Sequence, residues 1–256
     1  MSENRLESLW SAGEPAYGAW LSIPNAFAAE LVARQGFDYV CVDLQHGVVD
    51  RGALLGMLQA ISATEAVPLA RVAWNDPVQI KRVLDGGAYG VVIPWVNTPE
   101  EAAAAVAACR YPPAGSRGFG PWRAALYGGR DYAAHANEEI ACIIQIETVG
   151  AIERIDDILA VPGIDGVMIG PTDLAMDMGL PPRADHPDDH HRELCARVLE
   201  ACQSRGVAPG IYTSGPDEAA RRAEEGWRFL PVGSDLQFVL ERAIAARRLV
   251  RPGGQG

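Results

Sequence analysis

Short apolar runs alternate with longer segments of helical periodicity along the whole chain. Short apolar runs that are rich in β-branched and aromatic residues and bounded by turn residues are typical of buried strands. The pattern predicts eight strands, at residues 17–23, 39–44, 68–73, 90–96, 141–147, 166–170, 208–213 and 229–233.

Helical segments fill most of the intervals between these strands. Residues 26–34 carry apolar stripes at three- and four-residue spacing, and residues 77–84 begin with a proline in the first turn. Residues 218–225 end just before a glycine, which commonly terminates a helix. The chain is therefore predicted to repeat a strand followed by a helix.

Eight such units in 256 residues match the (β/α)8 TIM barrel, which typically has about 250 residues and needs no second domain. A doubly wound open sheet is the alternative, but it normally has fewer strands and a glycine fingerprint after the first strand. The first predicted strand runs into residues 22–25, which lack that fingerprint. We therefore expect an α/β protein with a single (β/α)8 barrel domain over residues 1–256.

Two long segments interrupt this rhythm. Residues 111–137 follow the helix of the fourth unit, and residues 177–189 follow the sixth strand. Long connections usually serve as lids, substrate contacts or subunit contacts. The glycines of the first segment are interpreted as turn glycines, because no Gly-Lys-Ser or Gly-Lys-Thr follows them as in a phosphate-binding loop.

The net charge of -11 argues against a nucleic-acid partner, because phosphate backbones are bound chiefly by clustered lysines and arginines. No apolar run approaches the roughly 18 residues that suggest a membrane span, and the N-terminus lacks the features of a signal peptide. The five cysteines form no CxxC pair, and we interpret them as packing or helix-surface thiols of a reducing compartment. The sequence predicts a cytoplasmic protein without a membrane partner.

Two acidic residues lie where predicted apolar strands end: Glu147 closes the fifth strand, and Asp173 comes shortly after the sixth. Carboxylates from separate strand ends, completed by water and substrate, commonly hold Mg²⁺ or Mn²⁺ beside a small anionic substrate. Alternatively, both acids cap the helices that follow them, since Asp and Glu favour helix N-termini. The barrel favours the metal interpretation, because barrel active sites lie at the C-terminal ends of the strands.

Other polar residues fall at the same strand ends. Asp43 and His46 flank the end of strand 2, Arg71 interrupts strand 3, and Gln145 shares a face with Glu147. A buried guanidinium needs an anion, which could be a substrate or Asp43 in a structural ion pair. His46 could equally be a capping or packed residue of a turn.

Trp20, at the end of strand 1, either lines the predicted site or packs in the core. A role in zinc binding is not assigned to His186, His190 and His191, although the first two have i,i+4 spacing. Pro187 lies between them and favours a helix start there rather than a continuous helix.

Lys81 is the one lysine of the chain, and it lies in a predicted outer helix. An imine-forming lysine would have to point into the mouth of the barrel. Schiff-base chemistry is therefore not expected. If the protein stabilises a carbanion, a divalent metal must polarise the carbonyl while Arg71 spreads the remaining charge.

The chain resembles the HpcH/HpaI-type class II pyruvate aldolases over nearly its whole length. The resemblance is carried by GFDYVCVDLQH at 36–46, Arg71 with WNDPVQIK at 74–81, RYPPAGSRG at 110–118, QIE at 145–147 and IGPTDL at 169–174. It implies a (β/α)8 hexamer, a trimer of dimers. Its members reversibly cleave 4-hydroxy-2-oxoacids into an aldehyde and pyruvate, or an analogue such as hydroxypyruvate, with Mg²⁺, Mn²⁺ or Co²⁺.

Residue roles follow from this resemblance by matching position. Glu147 and Asp173 would bind the metal, and Arg71 would stabilise the enolate. His46, through a water, would remove the C4 hydroxyl proton, with Asp43 completing the catalytic set. The pyruvyl unit would be held by Gln145 and by the segment of Gly170, Pro171, Thr172 and Asp173.

The family pattern also assigns Asp85 the task of raising the basicity of the catalytic histidine. The predicted barrel places Asp85 at a helix C-terminus, away from the mouth. The hypothesis that resolves this conflict is that Asp85 reaches His46 of a neighbouring subunit. Departures from the family in the specificity surface involve Gln45 and the predicted loop residues Phe119, Trp122, Tyr127, Tyr212, Thr213 and Ser214.

Three alternatives remain open. A sugar-acid aldolase acting on 2-dehydro-3-deoxy-aldarates would differ only in the acceptor pocket. An acyl-CoA lyase would need a nucleotide-binding surface, which is not evident in this acidic chain. A non-catalytic barrel that binds a metal and an oxoacid would bind pyruvate without exchanging its methyl protons.

Overall fold

Eight parallel strands close into a barrel in the computed structural model, which describes residues 3–251. Each strand pairs with its sequence neighbours, and β1 pairs with β8 to close the sheet. The strands are β1 Ala16–Leu21, β2 Tyr39–Asp43, β3 Val67–Arg71, β4 Gly90–Ile93, β5 Ala141–Ile146, β6 Gly166–Ile169, β7 Ala208–Ile211 and β8 Phe229–Ser234.

Helices surround the barrel, and none within residues 3–251 is long and apolar enough to cross a bilayer. The first seven are α1 Arg5–Ser11, α2 Ala26–Ala33, α3 Arg51–Ile61, α4 Pro77–Asp85, α5 Pro99–Cys109, α6 Trp122–Gly128 and α7 Tyr132–Glu139. They are followed by α8 Val149–Glu153, α9 Ile155–Ile158, α10 Pro171–Asp177, α11 Asp189–Arg205, α12 Pro216–Glu225 and α13 Asp235–Val250.

Two apolar cores form because successive side chains of a strand point to opposite faces. The inner core fills the barrel and includes Trp20, Tyr39 and Phe229, with the rings of Tyr39 and Phe229 stacked at 4.4 Å. The outer core lies between the strands and the helices and includes Val40 and Val42 of β2. Burial on both faces explains why these strands read as nearly continuous apolar runs.

The predicted (β/α)8 barrel is confirmed, with every predicted strand present and its ends displaced by at most three residues. The three helices described from the sequence also form, as α2, α4 and α12. All five cysteines are buried, which favours the packing interpretation over that of helix-surface thiols.

The prediction for residues 111–137 was wrong in two respects. The segment contains α6 and most of α7 rather than a continuous loop. It also connects the end of α5 to the start of β5, so it lies at the opposite end of the barrel from the strand C-termini. Phe119, Trp122 and Tyr127 consequently do not line the mouth cavity of this chain, and the half-buried Tyr127 packs against Tyr89, just before β4.

Candidate active site at the barrel mouth

A cavity of about 480 Å³ opens where the carboxyl ends of the barrel strands meet. Ligand sites of barrel enzymes lie at this end, because the loops that follow the strands converge there. The wall of the cavity is formed by Trp20, Ser22, Asp43, His46, Arg71, Gln145, Met168, Gly170, Pro171, Thr172, Asp173, Tyr212, Ser234, Leu236 and Gln237. Nearly all of the residues expected at the mouth are therefore brought together.

Arg71 and Asp43 form a two-point ion pair in this wall. They are register partners on β3 and β2, so their side chains leave the sheet side by side. Arg71 donates through Nε to Asp43 Oδ1 at 2.9 Å and through Nη2 to Oδ2 at 2.7 Å. Burial lowers the pKa of Arg71, but the hydrogen bonds and charge of Asp43 outweigh this and hold that pKa above its ordinary value.

The ion-pair interpretation of Arg71 is therefore confirmed, and it does not remove the guanidinium from the cavity. The remaining nitrogen, Nη1, lies 3.5 Å from Oε1 of Gln145. Two nitrogens on one edge of the guanidinium fix its orientation, while the third nitrogen is directed toward Gln145. A cation held so rigidly is suited to meeting an anionic group of a ligand.

His46 stands in a tight turn after β2. The carboxylate of Asp43 accepts hydrogen bonds at Oδ1 from the backbone nitrogens of Gln45 at 3.0 Å and His46 at 3.3 Å. The imidazole is exposed and lines the cavity, so it is not a packed histidine. Asp43 thus positions both the guanidinium of Arg71 and the backbone of His46.

Gln145 and Glu147 point into the same side of the barrel, as their two-residue spacing predicts. The side-chain nitrogen of Gln145 donates to Oε2 of Glu147, and the backbone nitrogen of Trp95 donates to Oε1 at 3.0 Å. Glu147 is 1% exposed and lies behind Gln145, outside the cavity wall. Its carboxylate is therefore adjacent to the cavity rather than part of its surface.

The turn from Gly170 to Asp173 passes close to this carboxylate and begins α10. A Cβ atom at Gly170 would lie 2.7 Å from Oε2 of Glu147 and 3.1 Å from Nε2 of Gln145. Only glycine lets the backbone approach that closely. No side chain caps the N-terminus of α10, so its first turn faces the cavity uncapped.

The carboxylates of Glu147 and Asp173 fit a divalent cation. Burial raises the pKa of Glu147 above its ordinary value, and the charge of Asp173 raises it further although a hydrogen bond from Gln145 opposes both. The charge of Arg71 also lowers the pKa of Glu147, but Arg71 is paired with Asp43 and so balances the two carboxylates only in part.

Within residues 3–251, no three His, Cys, Asp or Glu side chains cluster as a metal site. The protein would thus provide two carboxylates and leave the other ligand positions to water and substrate. This is the usual way in which Mg²⁺ is held beside a substrate.

Trp20 both packs in the core and lines the site, so both interpretations of it are correct. It is 1% exposed and belongs to the inner core, yet its ring also borders the cavity. Its ring packs edge-on against Tyr212 at 5.8 Å, and Cζ of Arg71 lies 5.5 Å from the ring centroid. Trp20 therefore separates the packed interior of the barrel from the open site above it.

The cavity residues at the end of β8 and the start of α13 were missed by sequence reasoning. Ser234, Leu236 and Gln237 line the cavity, and Ser234 and Gln237 form a capping box at the start of α13. The spacing of a serine and a glutamine three residues later is a recognisable signal for a helix start. Because this serine and glutamine occur at the end of the eighth strand, the signal could have indicated that they lie at the barrel mouth.

Asp85 lies away from the mouth of this chain, as the predicted barrel requires. It is the last residue of α4 and pairs with Arg117 at 3.0 Å. Both border a second cavity of about 560 Å³ on the outer surface, together with Arg51, Lys81 and Arg82. Lys81 is exposed on α4, which is consistent with the exclusion of an imine-forming lysine.

The three histidines near residue 190 do not form a zinc pair. His186 precedes the N-cap of α11, whereas His190 is an exposed residue within that helix. His191 is buried beneath the turn that begins α10.

Comparisons with known proteins agree with this architecture. Residues 16–241 match the family model described as HpcH/HpaI aldolase/citrate lyase. A hydroxypyruvate/pyruvate aldolase of Rhizorhabdus wittichii is 39% identical over 247 residues, which cover 96% of this chain and 97% of that protein. A 4-hydroxy-2-oxo-heptane-1,7-dioate aldolase of Salmonella dublin is 40% identical over 250 residues, which cover 96% and 94%.

A solved structure extends the agreement to three dimensions. The crystal structure of an HpcH/HpaI aldolase/citrate lyase family protein from Burkholderia cenocepacia matches with a TM-score of 0.90 at 36% identity. That match covers 97% of this chain and 99% of the other. Because the family model and these relatives span the barrel and all of its strand ends, this chain belongs to the HpcH/HpaI aldolase/citrate lyase family.

Proposed function

We propose that this protein is a carbon–carbon lyase, a class II pyruvate aldolase. It would reversibly cleave 4-hydroxy-2-oxoacids into an aldehyde and pyruvate, or a close analogue such as hydroxypyruvate. The observation that carries this proposal is the fixed guanidinium of Arg71 beside the buried carboxylate of Glu147 at the barrel mouth. The names of the two aldolase relatives support the same reaction class.

In this proposal, Arg71 and Gln145 orient the oxoacid. The orientation of Arg71 is fixed by Asp43 before substrate binds, so little reorganisation is needed when enolate charge develops. The uncapped first turn of α10 lies across the cavity and would receive the carboxylate of the oxoacid. These groups together would favour the enolate over the neutral substrate.

His46 is the proposed general base. In the cleavage direction, it takes the proton of the C4 hydroxyl through a water as the C3–C4 bond breaks. The electron pair of that bond goes to C3 and forms the enolate, which is then protonated at its methylene carbon. A histidine suits this role because a ring nitrogen can accept a proton in cleavage and return it in synthesis.

A divalent metal held by Glu147 and Asp173 is part of the proposal. When bound, Mg²⁺, Mn²⁺ or Co²⁺ would act as a Lewis acid that polarises the keto group. The incompletely balanced charge of the two carboxylates supports such a site.

We further propose that the active unit is a homo-oligomer, a hexamer built as a trimer of dimers, in which Asp85 approaches His46 of a neighbouring subunit. Exposed apolar side chains on α13 support association, since four of them lie along its first three turns: Leu236, Val239, Leu240 and Ile244. An Asp85→Ala variant should keep its assembly in sedimentation and lose turnover. Full turnover by an assembled variant would contradict this role.

The reaction is tested by proton NMR of pyruvate in D₂O. With Mn²⁺ or Mg²⁺ added, we expect the methyl group to take up deuterium, because enolate formation makes its protons exchangeable. EDTA should abolish the exchange. The same assay tests His46→Ala against His190→Ala as a matched control, because His190 is an exposed histidine that does not line the cavity.

The outcomes separate the proposal from its alternatives. Metal-dependent exchange would establish enolate formation and leave the aldehyde to be identified by cleavage assays. Binding of pyruvate without exchange under any divalent metal would instead indicate a non-catalytic barrel. Exchange that persists in EDTA would remove the metal from the mechanism.

A further inference from the structure

A buried histidine supports the backbone of the turn that carries Asp173. Nε2 of His191 lies 2.9 Å from the carbonyl oxygen of Pro171, and the ring is 2% exposed. A carbonyl can only accept, so Nε2 of the ring is the donor and the tautomer is defined. His191 lies outside the cavity wall, so it does not touch a ligand bound there.

Three further contacts involve His191, one at its backbone and two at its ring. The side chain of Asp188 accepts a hydrogen bond at 2.9 Å from the backbone nitrogen of His191 and so caps α11. Nδ1 of the ring lies 3.9 Å from Sγ of Cys195, one turn further along the helix. The ring of His186 packs at 5.3 Å between centroids. Burial also lowers the pKa of His191, which favours the neutral donor form at neutral pH.

The turn needs such support because α10 is short. It spans seven residues and has no side-chain cap, and isolated helices of that length are unstable in water. Besides the bond from His191, Gly170 N donates to Ile146 O at 3.1 Å, and the exposed side chain of Asp177 accepts from Val149 N at 2.8 Å. The bond from His191 is a buried side-chain tether on the first turn itself.

The position of this turn sets the relation between the two proposed metal ligands. Asp173 lies two residues beyond Pro171, and the backbone at Gly170 passes so close to Glu147 that a Cβ would overlap its carboxylate. A small displacement of the turn therefore changes the separation of the two carboxylates. Partners that orient metal ligands typically contribute about 10- to 100-fold to metal affinity or activity.

We propose that His191 is a positioning residue, whose hydrogen bond to Pro171 holds Asp173 in place beside Glu147 for metal binding. The inference rests on the proposed metal site. By this inference, α11 holds the turn at the barrel mouth through His191, a residue that takes no part in the proton transfers.

The test compares three substitutions of His191. His191→Leu removes the hydrogen-bond donor and fills the buried space with an apolar side chain. His191→Gln places an amide nitrogen as many bonds from the backbone as Nε2, so it can still reach Pro171. His191→Asn stops at the position of Nδ1 and cannot. Mn²⁺ affinity is measured from the free-ion signal in electron paramagnetic resonance. Amide hydrogen exchange within residues 170–174 is measured in the metal-free protein at Gly170 and Leu174, whose backbone nitrogens donate to Ile146 O and Gly170 O.

We expect His191→Leu and His191→Asn to weaken Mn²⁺ binding by about tenfold and to accelerate exchange at residues 170–174. His191→Gln should restore most of both properties. Cys202→Ala is the matched control, because it shortens a buried side chain of the same helix about three turns away from His191. It should lose some stability and keep its Mn²⁺ affinity within about twofold of that of the parent protein.

Unchanged exchange and unchanged Mn²⁺ affinity in the Leu and Asn variants would overturn the proposal. Equal losses in the Gln, Leu and Asn variants would also overturn it. They would mean that His191 acts only by packing, since the Gln side chain can donate a hydrogen bond to Pro171 and the other two cannot. If His191→Leu does not fold, His191→Asn replaces it in the comparison, because its side chain also cannot reach Pro171. If the parent protein binds no Mn²⁺, the proposed metal site fails, and hydrogen exchange alone decides whether His191 holds the turn.

Discussion

Asp43→Asn offers a sharp test of how the mouth is held together. The change keeps the size of the side chain and retains an oxygen for the backbone nitrogens of Gln45 and His46. It removes the negative charge opposite Arg71, whose side chain is only 8% exposed. The variant therefore removes the ion pair while leaving the hydrogen bonds of the turn after β2 in place.

The expected loss of stability follows from the burial of the pair. Removing one partner of a buried ion pair costs about 3 to 5 kcal/mol, because the other charge is left without compensation. The cavity lets some water reach Arg71, so we expect the lower end, about 3 kcal/mol. For a domain of this size, that corresponds to a fall in Tm of about 6 to 12 °C.

The free energy of unfolding is measured by urea denaturation. Glu30→Gln is the matched control, because it breaks a surface ion pair with Arg34 whose side chains are 39% and 58% exposed. That change should cost no more than about 1 kcal/mol. A second variant, Asp43→Asn with Arg71→Met, should recover part of the loss, since no charge is then buried alone.

A loss below about 1 kcal/mol in Asp43→Asn would refute the reasoning. It would mean that water in the cavity solvates Arg71 as well as Asp43 does. An equal or larger loss in the double variant would also contradict it, because the penalty would then come from packing and not from an unpaired charge.

Three further predictions concern Glu7 of α1, Gly170 at the start of α10 and the proposed base His46. Burial, with the charges of Asp165 and Glu139, raises the pKa of Glu7 from 4.5 to about 7. The stability that it contributes is fully present below about 4.5 and lost as pH rises through 7. Glu7→Gln should therefore be more stable than the parent at pH 8, by about 1 kcal/mol after discounting for partial exposure. The two proteins should be equally stable near pH 4, and urea titrations at both pH values measure the difference. Gly170→Ala should keep its fold and lose Mn²⁺ affinity in a resonance titration, because its Cβ would displace the Glu147 carboxylate; unchanged affinity would contradict the crowding. His46→Ala should lower cleavage rates by about 10² to 10⁴, and near-normal turnover would remove it from its role.

Much of the barrel could be predicted because its pattern is local. Strands such as β3 and β6 are buried on both faces, so they appear in the sequence as short apolar runs between turn residues. Residues 111–137 were mispredicted because α6 and α7 have seven and eight residues and little apolar periodicity. Such short helices are stabilised by tertiary packing, which a local pattern does not record.

Part of the site could be predicted for the same reason. Asp43, Arg71 and Asp173 fall at strand ends, and the barrel topology brings all strand ends to one mouth. Whether Arg71 meets a protein carboxylate or a ligand could not be decided from spacing. The parallel register of β2 and β3 decides it, because it sets Asp43 directly beside Arg71.

The number and order of the strands, and the end of the barrel where the polar residues collect, follow from the sequence alone. The folded structure was needed to show that all five cysteines are buried, that Glu147 lies behind Gln145, that the start of α13 lines the cavity and that His191 contacts Pro171. The physical reason is that periodicity records which face of an element is buried. The partners that meet on that face come from distant segments and depend on how the elements pack.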